Sequence, residues 1–324
     1  MPKLSLLKHL RGRKNLLAFS YGSDSTALFY LLERENIIFD MALINYKTRQ
    51  NSDLEEEEAR LLAKRFHKQI FIQTAPRFKG NFEKNARDFR YAFFEKICIE
   101  EGYENLILAH QLNDLFEWFL MQLGKGAGLM ELLGMNALEK RTHFTLIRPL
   151  LNVPKGQILA FLKENRLKYF NDESNHNETF KRNFIRKHFS EEFLKHFSKG
   201  VQKSFVFLQE DLKALNLGEI EEFGGILICV KNESLIAKAC KKLGVLMSER
   251  QRKECLKKDC VISAKIGVVY VENKAFIFTY ERCEKMPKSF KERCRKLQIP
   301  KLLRPFCFNH QIELETLLSF GLKK

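Results

Sequence analysis

The sequence predicts an α/β fold: a parallel sheet with helices on both faces, followed by a smaller α+β C-terminal region. Three observations predict it. Short apolar runs alternate with longer amphipathic ones through the first half, the pattern of buried strands joined by crossover helices. The alternation gives way near residue 180 to helical patterns and then a hairpin. The 324 residues are 45% hydrophobic and 30% charged, enough for two or three domains with wet surfaces.

The elements follow in order. Leu16–Ser20 reads as a buried strand and Asp24 to Glu35 as a helix. Phe39–Tyr46 is the second strand, followed by a helix over Leu54–His67. Gln69–Thr74 is the third strand, followed by a long helix over Phe82–Glu101. Asn105–His110 is the fourth strand, with a helix over Gln111–Leu123. Phe144–Leu150 reads as a fifth strand before a helix from Pro154 to Asn165. Right-handed crossovers would gather the loops after the strands along one edge, where open α/β sheets bind ligands.

Beyond this, Phe180–Leu215 is helical, Ile226–Val230 is β-like, and helices cover Leu235–Leu243 and Ser248–Lys257. Gly267–Val271 and Ala275–Tyr280 flank Glu272-Asn273-Lys274 as a hairpin. The expected division is a catalytic domain over 1–190, a helical connector over 191–217 and a basic α+β region over 218–324.

Composition narrows the function. No run of 18 or more uncharged apolar residues occurs, so no transmembrane helix and no membrane partner are expected. The N-terminus lacks a signal-peptide pattern, which points to the cytoplasm. Eight cysteines are scattered without CxxC spacing, which argues against a zinc ribbon or iron–sulfur site. The formal net charge is +16, and the excess is clustered. Thr179–Lys203 carries a net +5 and Glu281–Arg304 a net +6. A polyanionic partner, usually nucleic acid, accounts for such segments.

The first strand ends in Ser20-Tyr21-Gly22-Ser23-Asp24-Ser25-Thr26. Free backbone N–H groups and a positive helix end suit an anion there. Ser20, Ser23, Ser25 and Thr26 add hydroxyl donors. Asp24 would repel phosphate directly, so its natural task is to hold Mg²⁺. An ordinary helix cap built from Ser and Asp is the competing reading. After the fourth strand come His110, Asp114 and Glu117, whose spacing predicts one helix face at the ligand edge.

Residues 20–25 resemble the SGGxDS loop of the PP-loop ATP pyrophosphatases, a Rossmann-like fold. Tyr21 stands where that loop has its first Gly. A positive φ there would strain Tyr, whereas use of its backbone N–H alone would not. The later motifs resemble the tRNA(Ile)-lysidine synthetase family. His110, Asp114 and Glu117, with the Gly-rich loop Gly124–Leu129, are similar to its H-x-x-x-D-x-x-E segment. Gly80–Glu83 with Ala86, Arg87, Arg90 and Tyr91 is similar to a further family motif. Arg148–Leu151, Asp172–Asn175, Phe180, Arg182-Asn183 and Ile185-Arg186 follow in family order. Arg49 and Ser52 also match, but Asn45-Tyr46 replaces an expected Asp-His pair.

The resemblance implies a ligase that consumes ATP with Mg²⁺ and acts on tRNA(Ile) with a CAU anticodon. The wobble cytidine's C2 oxygen would attack the α-phosphate, and the ε-amine of L-lysine would then displace AMP. Decoding would change from AUG to AUA. In that scheme residues 20–25 hold ATP, Asp24 holds Mg²⁺, and Arg87 rather than Arg90 neutralises phosphate. Asp114 accepts the lysine ammonium and its proton, with Glu117 as helper or as ligand for the amino-acid end and His110 as the alternative. Free lysine has a pKa of about 10.4, so roughly one molecule in a thousand is neutral near pH 7 and a carboxylate is needed. Arg182 and Arg186 would bind substrate, the basic region over 218–324 would bind tRNA, and a homodimer stays open. A PP-loop thiolase, a small-molecule PP-loop synthetase and a non-catalytic tRNA-binding relative are the alternatives.

Overall fold

The computed structural model describes residues 1–47, 52–80, 82–170, 181–215, 218–283 and 285–321. Arg49, Asn81, Asp172–Asn175 and Phe180 therefore lie outside the described residues. Two compact units emerge, Met1–Gln209 and Glu210–Lys324.

The first unit begins with α1 (Leu7–Leu10), β1 (Asn15–Ala18) and α2 (Ser23–Arg34). β2 (Asp40–Asn45), α3 (Ser52–Arg65), β3 (Ile70–Thr74) and α4 (Phe82–Glu101) follow. Next come β4 (Asn105–Ile107), α5 (Leu112–Leu123), α6 (Leu129–Leu132), β5 (Leu138–Lys140) and β6 (Thr145–Ile147). α7 (Lys155–Glu164) and α8 (Lys181–Ile185) precede a π-helical turn, Arg186–Ser190, and α9 (Glu191–Ala214). The expected connector corresponds to part of this helical run.

The sheet order is β3-β2-β1-β4-β6-β5. β1, β2, β3, β4 and β6 are parallel, and only β5 runs antiparallel. Successive residues of β1 serve opposite faces, as the two-residue strand period requires. Leu17 packs with Leu28, Phe29 and Ile158 of α2 and α7. Leu16 packs with Phe94, Ile97 and Cys98 of α4. Both faces are thus covered, and the strands read as near-continuous apolar runs for that reason.

The strand order reverses at β1, which pairs with β2 on one side and β4 on the other. The crevice outside the carboxyl ends of such a pair is where open α/β sheets place ligands. Here the segments after β1 and β4 are the Ser20–Asp24 loop and the His110–Asp114 segment.

Tyr21 adopts φ 55, so the position occupied by Gly in related loops does use the left-handed region. The ring compensates. It is buried, with edge contacts to Phe19 at 5.2 Å and Phe170 at 5.3 Å. Its carbonyl accepts from the Phe170 N–H at 2.9 Å, and burial pushes the phenol pKa up to about 12.

Asn45 also departs for a legible reason. Its buried amide donates to Asp53 at 3.0 Å and Glu56 at 2.9 Å near the start of α3. Aspartate there would face two carboxylates with no donor to offer. Tyr46 donates to the Ala86 carbonyl and accepts from Arg90 at 2.9 Å.

The second unit holds a separate antiparallel sheet of order β7-β8-β11-β10-β9. Its elements are β7 (Glu221–Phe223), β8 (Ile226–Val230), α10 (Glu233–Lys242), α11 (Glu249–Cys255), β9 (Cys260–Ile262), β10 (Ile266–Val271) and β11 (Lys274–Thr279). α12 (Lys288–Lys296), α13 (Arg304–Asn309) and α14 (Leu314–Gly321) close the unit. Lys274 pairs with Val271, so the hairpin turn is Glu272-Asn273 alone. Gly267 is required by contact: a Cβ would lie 2.5 Å from the Phe278 ring.

Tyr21→Gly isolates the loop's energetics. Relieving the left-handed backbone gains about 1 kcal/mol, whereas removing a buried aromatic ring costs about 3–5 kcal/mol. The variant is expected to lose roughly 3 kcal/mol in urea unfolding. Equal or greater stability would show that backbone strain outweighs ring burial.

Candidate active site

The loop after β1 is tied together by its own hydroxyls. Ser25 Oγ lies 3.2 Å from Ser20 Oγ and donates to the Gly22 carbonyl at 3.1 Å. Ser20 N–H donates to Ser25 Oγ at 3.2 Å, and Gly22 N–H donates to Ser20 Oγ at 3.4 Å. The N-cap of α2 is Gly22, and no side chain caps the helix. The orphan N–H groups of a first turn, unmet by a cap, are the donors an anion uses.

Asp24 is in that first turn. Lys155, the first residue of α7, donates to its Oδ1 at 2.6 Å and to Ser23 Oγ at 2.7 Å. The Lys155 backbone N–H is in turn fixed by Asn113 Oδ1 at 3.1 Å. Burial raises the Asp24 pKa, Lys155 opposes this, Asp114 adds to the rise and Arg186 opposes it. Burial is thus the main reason the carboxylate's charge is under-compensated, with one cation, Lys155, in contact with it. A dication fits that donor set, since Mg²⁺ commonly takes one or two carboxylates and completes its shell with phosphate and water.

His110, Asp114 and Glu117 do not share one helix. His110 precedes α5, because Gln111 is the N-cap: its side chain accepts from the Asn113 N–H at 2.6 Å, and Asp114 accepts from the Gln111 N–H at 3.0 Å. This reciprocal capping ends the helix one residue after His110. Asp114 and Glu117 do lie on α5, and both are buried.

Arg182 and Arg186 reach these two carboxylates. Arg182 donates to Asp114 Oδ1 at 2.6 Å and to Glu117 Oε2 at 2.9 Å. Arg186 donates to Glu117 Oε1 at 2.8 Å and Oε2 at 3.1 Å. Burial works to raise the Asp114 pKa, but Arg182, His110 and the Gln111 N–H hold it below the usual carboxylate range. Burial likewise disfavours the Arg186 charge, and Glu117 more than restores it.

Arg148, also buried, donates from Nε to His110 Nδ1 at 3.1 Å and from Nη1 to the Asn136 carbonyl at 2.6 Å. An imidazole that accepts at Nδ1 is neutral with its proton on Nε2. Burial lowers the His110 pKa to about 3; Asp114 opposes this, and Arg148, Arg182 and Arg87 reinforce it. His110 is thus a hydrogen-bond donor through Nε2, not a proton acceptor.

Arg87 is exposed, 4.8 Å over the Tyr91 ring, and within electrostatic reach of His110. Arg90 is committed to Tyr46. Among the described residues no group of three or more His, Cys, Asp or Glu side chains is placed to hold a metal ion by itself. Sequence reasoning missed Lys155. Its signal was a cation in the first turn of a helix, where the macrodipole disfavours positive charge.

Residues 3–193 match the PP-loop domain family. A tRNA(Ile)-lysidine synthase from Campylobacter jejuni is 59% identical over 97% of this chain and 97% of its own length. The chain belongs to the tRNA(Ile)-lysidine synthase family. Family members from Helicobacter pylori and Wolinella succinogenes are 42% and 41% identical, each over 93% of this chain and 91% and 94% of their own. Among solved structures, the U34-tRNA thiolase NcsA from Methanococcus maripaludis aligns with a TM-score of 0.53. The identity is 17%, covering 73% of this chain and 83% of that one, a likeness of fold. The family is one of ATP-using ligases.

The His110 geometry has a pH signature. A folded-state pKa near 3 lies below the ordinary value of 6.5. The unfolded chain then binds the extra proton between these values, so stability falls as pH drops through that window. Wild type should be about 1 kcal/mol less stable at pH 5.5 than at 7.5 from this group. His110→Gln should remove that increment in urea titrations at the two pH values. An unchanged increment would mean that His110 is not held neutral.

Proposed function

We infer that this chain is a tRNA(Ile)-lysidine-forming ligase whose chemistry is divided between the loop after β1 and the cluster on α5. One observation carries the division: Asp24 shares an electrostatic neighbourhood with Asp114 and Arg186, although they lie on separate elements. This supports the activated base and the incoming amine being handled side by side at the β1–β4 switch point.

The uncapped N-terminus of α2 and the hydroxyls of residues 20–25 would receive ATP phosphates. Asp24 would hold Mg²⁺, which supplies neutralisation of phosphate charge. Lys155 anchors the Asp24 carboxylate, and Arg87, within electrostatic reach of His110, is suited to the α-phosphate. Positioning and charge neutralisation are most of what phosphoryl-group chemistry requires. The cytidine O2 attacks the α-phosphorus and pyrophosphate leaves. The neutral lysine ε-amine, its ammonium proton lost to water, then attacks C2; AMP leaves as its phosphate, and the proton of the new C–N bond passes to that phosphate or to water.

The α5 cluster suits free lysine. Two carboxylates and two guanidiniums offer partners of both signs to free lysine, which presents one carboxylate and two ammonium groups near pH 7. An ionised carboxylate has about four lone-pair positions, so Asp114 has capacity beyond its bonds to Arg182 and Gln111. Its depressed pKa makes Asp114 a better ammonium partner than proton acceptor. The tRNA loop presents the base unpaired, at modest cost for splaying it into a pocket. The eight free cysteines fit a reducing compartment such as the cytoplasm, and no helix among the described residues is long and apolar enough to cross a membrane.

The test is incubation with tRNA(Ile), ATP and labelled lysine, followed by nucleoside analysis. Lysidine with one AMP per nucleoside is expected; ATP cleavage without label in tRNA would overturn the reading. Asp24→Asn should reduce AMP formation by at least 100-fold, about 2.7 kcal/mol, with tRNA affinity kept. Wild-type turnover of that variant in Mg²⁺ would remove the metal role.

A further inference from the structure

Helix α9 is apolar on two faces. One is buried through Leu194 and Phe205. The other carries Phe193, Phe197 and Phe207, exposed at 45%, 57% and 59%. At 100° per residue these three fall within an arc of about 80°, so they form one stripe. Phe189, 53% exposed, precedes it in the π-helical turn. Large exposed apolar patches mark interaction sites, and a stripe of Phe is expensive to leave in water.

The stripe is continuous with the candidate active site. Phe193 stacks on Phe116 with centroids 5.3 Å apart and planes 22° apart, and Phe116 is the neighbour of Glu117. Phe197 follows Phe193 at 4.9 Å. Lys199 and Lys203 are exposed along one flank, with no carboxylate partner among the described residues.

A second feature is independent. Gly200 lies in the helix interior between Phe197 and Phe207, and a Cβ there would meet nothing within 4 Å. Glycine weakens a helix interior relative to alanine, and no internal contact here requires it. The bare backbone leaves room for something outside the protein.

We propose that the Phe193–Phe197–Gly200–Phe207 stripe is a stacking platform for the unpaired bases of the substrate RNA loop, with Lys199 and Lys203 on its phosphates. This rests on the reading of the chain as a tRNA-modifying ligase. Aromatic rings flanked by cations are how proteins hold single-stranded nucleic acid, and the stripe leads toward the cluster where the target base must arrive. A second copy docking by two-fold symmetry would bring Lys199 and Lys203 near their own equivalents, which like-charge repulsion opposes.

Two variants test it. Phe197→Leu/Phe207→Leu keeps apolar, helix-compatible side chains but removes stacking. Gly200→Leu favours the helix and fills the gap, so it does not threaten folding. The probe is a hairpin RNA carrying the target cytidine in its loop, compared with a blunt duplex of the same stem. Each variant is expected to bind the hairpin at least about 10-fold more weakly, with duplex and ATP affinities unchanged. Hairpin affinity equal to wild type in both variants overturns the platform. So does conversion of a wild-type dimer to monomer with hairpin affinity intact, which would make the stripe a protein interface. Labelled-lysine transfer by wild type separates the failures: its absence refutes the ligase reading, its presence with unaffected variants refutes the platform alone.

Discussion

Glu117 is fully buried, and an ionised carboxylate in that position costs several kcal/mol unless it is paired and hydrogen-bonded. Its two oxygens receive three donors from Arg182 and Arg186. These arginines are far along the chain, so satisfying one carboxylate obliges the helical run beginning at Lys181 to dock on α5. Arg182 then reaches Asp114 as well, and the stack of Phe193 on Phe116 continues the same contact. Breaking one partner of such a group is far more damaging than its net contribution suggests, because the remaining charge stays buried.

The sheet supplies the other half of the geometry. Reversal of strand order at β1 leaves a crevice between the ends of β1 and β4. Reciprocal capping at Gln111 and Asp114 starts α5 there, while the tight loop at Tyr21 starts α2. Lys155 bridges the two from α7, touching Asp24 by its side chain and Asn113 by its backbone. Two sources of negative charge, Asp24 and Asp114, thereby face one region with their pKa values pushed apart, the arrangement in which carboxylates take different tasks.

Much of this was legible in the sequence, and the remainder fails for identifiable reasons. Apolar runs located the five parallel strands to within a few residues because β1, β2, β4 and β6 are largely buried on both faces, while β3, at the edge, keeps an apolar Ile-Phe-Ile run though only partly buried. β5 was missed: Leu138–Lys140 is three residues long and only partly buried, too short for a period to register. The His110–Asp114–Glu117 spacing fits a helix, yet Gln111 caps it, and only the cap's hydrogen bonds reveal that. The choice between strain and tolerance at Tyr21 was also hidden, since the rescuing ring contacts come from Phe19 and Phe170. Arg182 and Arg186 read from sequence as a basic helix face; long-range pairing to α5 shows where their charge is spent.

The central claim is that the buried Glu117–Arg186 pair holds the active-site cluster together. A double-mutant cycle in urea tests it, with Glu117→Gln, Arg186→Gln and the double variant. The account predicts that each single change destabilises by about 3 kcal/mol and the double change by about 4 kcal/mol, a coupling of about 2 kcal/mol. Additive losses, with coupling near zero, would contradict it.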